Sequence, residues 1–252
     1  MQMNNDLKEK IKDKIVLALD VEELDEAKAL VDELFPYVGT FKVGLQLYTK
    51  YGNEVVDYIS GKNSNFFLDV KLHDIPNTVE KASENVVLRG ANFFNVHATG
   101  GLKMMEAAAR GAKKAAEKLN KKPPIILAVT MLTSISQEVL KDEFEIEADV
   151  SNFAIRLAKL AKKAGLTGVV ASSLEARKIK KACGADFKVL CPGIRPEWSS
   201  KDDQKRIATP KFAINEGADY LVIGRAVTQA ENRVEAMEKI YEEIGELECL
   251  QR

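Results

Sequence analysis

Eight short runs rich in β-branched and aromatic residues punctuate the chain, each followed by a longer stretch with helical periodicity. They are Lys14–Asp20, Thr40–Leu45, Asn65–Lys71, Asn92–Ala98, Pro124–Leu132, Thr167–Ser172, Asp186–Cys191 and Ala218–Gly224, starting 26, 25, 27, 32, 43, 19 and 32 residues apart. A near-continuous apolar run of this length suits a parallel strand buried on both faces. Between the runs, Val150, Phe153, Ala154, Leu157, Leu160, Ala161 and Ala164 recur at three- and four-residue steps, with Arg156, Lys159, Lys162 and Lys163 opposite them. Gly165 follows as a left-handed helix stop. Leu102, Met105, Ala109, Ala112, Ala116 and Leu119 repeat the pattern. Eight strand–helix units in 252 residues predict an α/β fold, a (β/α)8 TIM barrel formed as one domain over residues 1–252. A doubly wound sheet shares the alternation, but no G-x-G-x-x-G follows the first run, which removes its dinucleotide-binding version.

Composition narrows the partners. With 46% hydrophobic residues, 15 Gly and 7 Pro, the chain is neither disordered nor fibrous. Lys+Arg 37 against Asp+Glu 38 argues against a nucleic-acid polymer as partner, yet leaves room for a small basic pocket. Cys183, Cys191 and Cys249 have no C-x-x-C spacing, so neither a disulfide framework nor a zinc site is expected. The charged N-terminus does not read as a signal peptide, and no run reaches the roughly 18 apolar residues of a membrane span. A cytoplasmic protein with no membrane partner is expected.

In a barrel, chemistry sits at the C-terminal ends of the strands. The first run ends in Asp20, the second carries Lys42 between Phe41 and Val43, and the third ends in Asp69-Val70-Lys71. Strand alternation puts Asp69 and Lys71 on one face. A lysine held between carboxylates keeps its proton and is a proton donor; a Schiff-base nucleophile needs the opposite environment. Ordinary strand-end ion pairs give the same pattern. Asp74 lies just before Pro76 and on local signal reads as a helix N-cap. His73 and His97 read as structural histidines, with no third ligand to make a metal site.

The last two runs supply a second half. The eighth ends in Gly224-Arg225, and the seventh leads into Pro192-Gly193-Ile194-Arg195-Pro196. Loops after these strands are where barrels most often hold phosphate; Gly224 permits close backbone approach and Arg225 offers a forked cation. Residues 192–209 lack hydrophobic periodicity and read as a lid loop, with Gln204 placed to reach a ligand. A C-cap glycine and a surface ion pair are the bland readings of Gly224 and Arg225.

Together these motifs resemble the orotidine 5′-phosphate decarboxylase family, in its bacterial form, over essentially the whole chain. Phe67–Thr78 (FLDVKLHDIPNT) is similar to the family's F-x-D-x-K-x-x-D-I-P-x-T signature, and LALD, FKVG, NVHA, VTMLTS, PGIRP and VIGRAVT follow the family's order. The resemblance implies decarboxylation of orotidine 5′-monophosphate to UMP without a cofactor or metal. Lys71 would protonate C6, with Asp69, Lys42 and Asp74 completing a charge array. It implies a homodimer in which Asp74 reaches the other subunit's site, a role that takes precedence over the N-cap reading without excluding it. Asp20 and Lys42 would hold ribose hydroxyls, and Arg195, Gln204, Gly224 and Arg225 the phosphate. Thr78 joins the substrate-binding set, and either Thr133 or Ser134 would meet the pyrimidine edge. The nearest alternatives are the Mg2+-dependent 3-keto-gulonate-phosphate decarboxylases and hexulose-phosphate synthases, which share D-x-K-x-x-D. A non-catalytic barrel that binds a phosphorylated metabolite is a third reading.

Overall fold

The computed structural model describes residues 3–199 and 208–250, the last three by backbone alone. Strands β1 (Ile15–Ala18), β2 (Thr40–Gly44), β3 (Asn65–Leu72), β4 (Phe93–His97), β5 (Ile125–Val129), β6 (Gly168–Val170), β7 (Lys188–Cys191) and β8 (Tyr220–Ile223) pair in chain order. All are parallel, and β8 closes on β1. Every strand falls within an apolar run read from the sequence, except that β3 extends one residue past Lys71.

Helices cover the outside. Helix α1 (Asn5–Lys14) precedes the barrel, and α2 (Leu24–Leu34) follows β1. Two helices, α3 (Leu45–Tyr51) and α4 (Asn53–Gly61), follow β2, then α5 (Pro76–Leu88) and α6 (Gly101–Lys118) follow β3 and β4. After β5 come α7 (Gln137–Asp142) and α8 (Val150–Lys163); α9 (Ser173–Cys183) and α10 (Pro210–Asn215) follow β6 and β7. Helices α11 (Arg225–Thr228) and α12 (Arg233–Leu250) end the described chain. The one-helix-per-strand expectation is exceeded for local reasons. The charged N-terminal stretch forms α1 because Leu7 and Ile11, four residues apart, share a buried face, and Asn4 caps it by accepting from the Leu7 N–H at 2.8 Å. Helix α8 matches its sequence pattern: Asp149 caps it through the Asn152 N–H, and Gly165 takes φ +82° beyond its end.

Side-chain parity divides the core in two. Outward positions such as Ile15, Leu17, Phe41, Val43, Phe66, Leu68, Phe94 and Val96 face the helices and join the main apolar layer. Inward positions form a smaller plug of Val16, Ala18, Phe67, Phe93, Leu127, Leu190 and Val222. This plug fills the lower barrel. One step further along β1, β2, β3 and β4 the inward residues become Asp20, Lys42, Asp69 and Asn95, so the same alternation that buries the plug places polar groups above it.

Candidate active site

The inward residues of the first three strands form a charge ladder. Lys42 Nζ lies 2.9 Å from Asp20 Oδ1 and 3.4 Å from Asp69 Oδ2, and Lys71 Nζ donates to Asp69 Oδ1 at 2.7 Å. The register builds it: Ala18 pairs with Lys42, and Gly44 with Asp69. Gly44 occupies the inward position after Lys42, where a Cβ would stand 3.1 Å from Lys42 Nζ and 3.2 Å from Asp20 Oδ1. The missing side chain leaves room for the ladder.

Lys71 departs from regular strand geometry. Its φ is +51°, left-handed for a residue with a Cβ, and the β3–β4 register shifts between Leu68 and Leu72. Asn95, on β4, holds this irregularity. Its Oδ1 accepts from the Lys71 backbone N–H at 2.8 Å, and its Nδ2 donates to Asp69 Oδ1 at 2.7 Å. On sequence alone Asn95 reads as one residue of an apolar run. A buried amide in an otherwise apolar strand was the available signal, since such a group needs partners.

The ladder lines a cavity of about 550 Å³ at the C-terminal ends of the strands. Thr133, Arg195, Gly224 and Arg225 line it too, opposite the charged strands. Arg195 is buried, and its N–H bonds to the Ala208 carbonyl at 2.9 Å while Ile194 pairs with Ala208. Those contacts pair the two described ends of the expected lid loop with each other. Gln204 lies outside the described residues.

Three expected residues are not gathered here. Ser134 is exposed and does not line the cavity, whereas Thr133 does. Asp74, on the β3–α5 connection, and Thr78, in the first turn of α5, are exposed and do not line their own chain's cavity. Nor does Asp74 cap α5. Pro76 opens the helix and drives the preceding Ile75 to an extended ψ of 151°, so Ile75 takes the N-cap position and the Asp74 carboxylate accepts the Ile75 N–H, at 2.7 Å. His73 and His97 stack with ring centroids 5.5 Å apart, and His97 Nδ1 lies 2.7 Å from the Thr99 hydroxyl.

Residues 13–240 match the orotidine 5′-phosphate decarboxylase / HUMPS family. The chain belongs to this family. Its relatives include the orotidine 5′-phosphate decarboxylase of Syntrophomonas wolfei, 48% identical over 94% of this chain and 98% of that protein. That of Heliobacterium modesticaldum is 46% identical over 93% and 97% of the two chains. A crystal structure of the Lactobacillus acidophilus enzyme of the same name superimposes with a TM-score of 0.80 at 34% identity, covering 91% of this chain and 98% of that one. The segment Phe67–Thr78, on which the resemblance to this family rests, becomes the end of β3, its irregularity and the start of α5.

Electrostatics keeps Lys42 charged. Burial opposes the ammonium of Lys42, but Asp69 and Asp20 together outweigh it and hold the group above the usual lysine range. For His97, burial, reinforced by the nearby His73 and Lys71, pushes the imidazole below its ordinary value. Neutral imidazole at the edge of the site adds no competing positive charge. Both carboxylates that face the cavity are already engaged by ammonium groups, and among the described residues no three His, Cys, Asp or Glu side chains gather as a metal-binding group. Cys183 and Cys191 are free and buried, and no described helix is long and apolar enough to cross a membrane.

Proposed function

We propose that the chain decarboxylates orotidine 5′-monophosphate to UMP and CO2, the decarboxylation step of pyrimidine nucleotide biosynthesis, and does so in the cytoplasm. The observation that carries the reading is the Asp20–Lys42–Asp69–Lys71 ladder set into a cavity whose far wall holds two arginines. The names and identities of the relatives support it over the metal-dependent sugar-phosphate alternatives.

The C6–carboxylate bond breaks heterolytically, CO2 departs, and the electron pair stays on C6. No adjacent carbonyl accepts that pair, so stabilisation falls to charges fixed in advance. The Lys71 ammonium, anchored at 2.7 Å on Asp69, stabilises the carbanion and then donates its proton to C6; water returns a proton to Lys71. Asp69 stands near the departing carboxylate and holds Lys71 in place. Asp20 and Lys42 take the ribose hydroxyls, Thr133 the pyrimidine edge, and Arg195, Arg225 and the Gly224 backbone the phosphate. Phosphate binding is remote from C6, so its energy serves to position the base and exclude water.

A homodimer belongs to the same proposal. Asp74 is exposed beside Ile75, itself 67% exposed, at a turn that a second copy would cover. Asp74 of the partner subunit would then complete the ladder beside Lys71.

The test is loss of orotidine 5′-monophosphate absorbance with purified protein in EDTA. Turnover is expected in EDTA with the wild-type chain and none with Lys71→Ala, folded by circular dichroism. Activity that needs added Mg2+, or that survives in Lys71→Ala, refutes the mechanism.

A further inference from the structure

Asn95 is the one polar side chain among the consecutive buried residues Phe93, Phe94, Asn95 and Val96, and it is 1% exposed. A buried amide must be satisfied, and here each half has a separate task. The carbonyl oxygen accepts from the backbone N–H of Lys71, the residue with φ +51°. The NH2 group donates to the Asp69 oxygen that also receives Lys71 Nζ. Both partners are fixed by type: a backbone N–H can only donate, and an ionised carboxylate can only accept, so the amide has one orientation.

These two bonds fall at the register shift of β3 against β4. Between Leu68 and Leu72 the ladder of backbone bonds to β4 is interrupted, and the side chain of Asn95 replaces it. A left-handed φ at a non-glycine residue persists only where its surroundings over-determine it. Asn95 supplies that constraint at Lys71 and, through Asp69, sets the position of the ammonium.

We propose that Asn95 is a positioning residue for the decarboxylation. It stabilises the strained backbone of Lys71 and orients the Asp69 carboxylate, so that the ammonium points into the cavity at C6. The proposal rests on the reading of Lys71 as proton donor. Asn95 itself lies beneath the ladder and has no substrate contact to make.

The test compares Asn95→Leu, similar in size and unable to make either bond, with Asn95→Asp. For Asn95→Leu the expected result is a kcat lower by about 100-fold, the scale of a misplaced catalytic group, with UMP affinity unchanged, because the ribose and phosphate contacts are elsewhere. A variant that keeps its kcat, or whose loss appears in UMP affinity, overturns the proposal.

Asn95→Asp separates the two bonds and covers the case in which the apolar variant does not fold. The ionised carboxylate keeps an acceptor for the Lys71 N–H but faces Asp69 with like charge, in a site that also holds Asp20, Lys42 and Lys71. Its protonated form restores the donor to Asp69. Activity relative to wild type should therefore rise as pH falls; a ratio that is flat with pH, or falls, overturns the proposal. Should Lys71→Ala retain turnover, the proton-donor reading fails first. Loss in Lys71→Ala with normal kcat in Asn95→Leu rejects the role of Asn95 alone.

Discussion

Replacing Asp69 with Leu should leave Lys42 buried beside a single, largely hydrated carboxylate. Side-chain exposure is 9% for Lys42 and 13% for Asp69, but 55% for Asp20, so water screens the shorter of the two Lys42 contacts. At 3.4 Å the Lys42–Asp69 attraction is about 5 kcal/mol for an effective dielectric near 20. The cost of removing both ions from water is of similar size, so the intact pair adds little net stability. Removing one member is different: the stranded ammonium makes Asp69→Leu cost about 3 kcal/mol. Lys42→Met should cost less, because Asp69 keeps Lys71 and Asn95. In the double variant the stranded charge is gone, and the two effects should fall short of their sum by about 2 kcal/mol. The Asn95 amide left without its acceptor is common to both Asp69→Leu chains and cancels in the cycle.

Urea unfolding at pH 7 and one protein concentration measures all four corners. Alkaline pH gives a second reading. The folded chain holds the Lys42 proton more tightly than the unfolded chain, so the corresponding stability is present at neutral pH. It is lost as pH rises past about 10.4, the unfolded lysine value, and through the raised folded value. In Asp69→Leu this alkaline loss should shrink or reverse. Additive effects within about 0.5 kcal/mol, together with an unchanged alkaline limb, would refute the electrostatic account of the ladder.

Two further perturbations probe its surroundings. Gly44→Ala places a methyl group against Lys42 Nζ and Asp20 Oδ1 and should lower kcat/KM by about 100-fold with the fold intact by circular dichroism; wild-type kinetics would show that the ladder tolerates displacement. His97 resists protonation in the folded chain, so as pH falls below about 6.5 the unfolded state binds a proton the folded state refuses and stability drops. His97→Gln should flatten the dependence of urea stability between pH 7 and pH 5 relative to wild type, and an identical slope would remove His97 from the account.

What the sequence makes legible here is set by distance along the chain. The eight strands are readable because burial on both faces leaves a local signature, and Asp20, Lys42, Asp69 and Lys71 are readable as charges at the ends of apolar runs, with parity placing Lys42 and Asp69 inward. Local rules fail where a neighbouring element decides. Asp74 looks like a cap until the proline two residues on fixes Ile75 in extended geometry and moves the helix start past it. Asn95 gives no hint that its two bonds lie 24 and 26 residues away, because both arise from the β3–β4 register shift. Thr133 and Ser134 are alike in chemistry and adjacent, so only the path of the loop after β5 turns one toward the cavity and the other to solvent. Charge is therefore legible in composition and parity, while its aim is set by register. A signature such as D-x-K-x-x-D marks which groups can react, and an uncharged residue on the next strand determines the direction in which the lysine points.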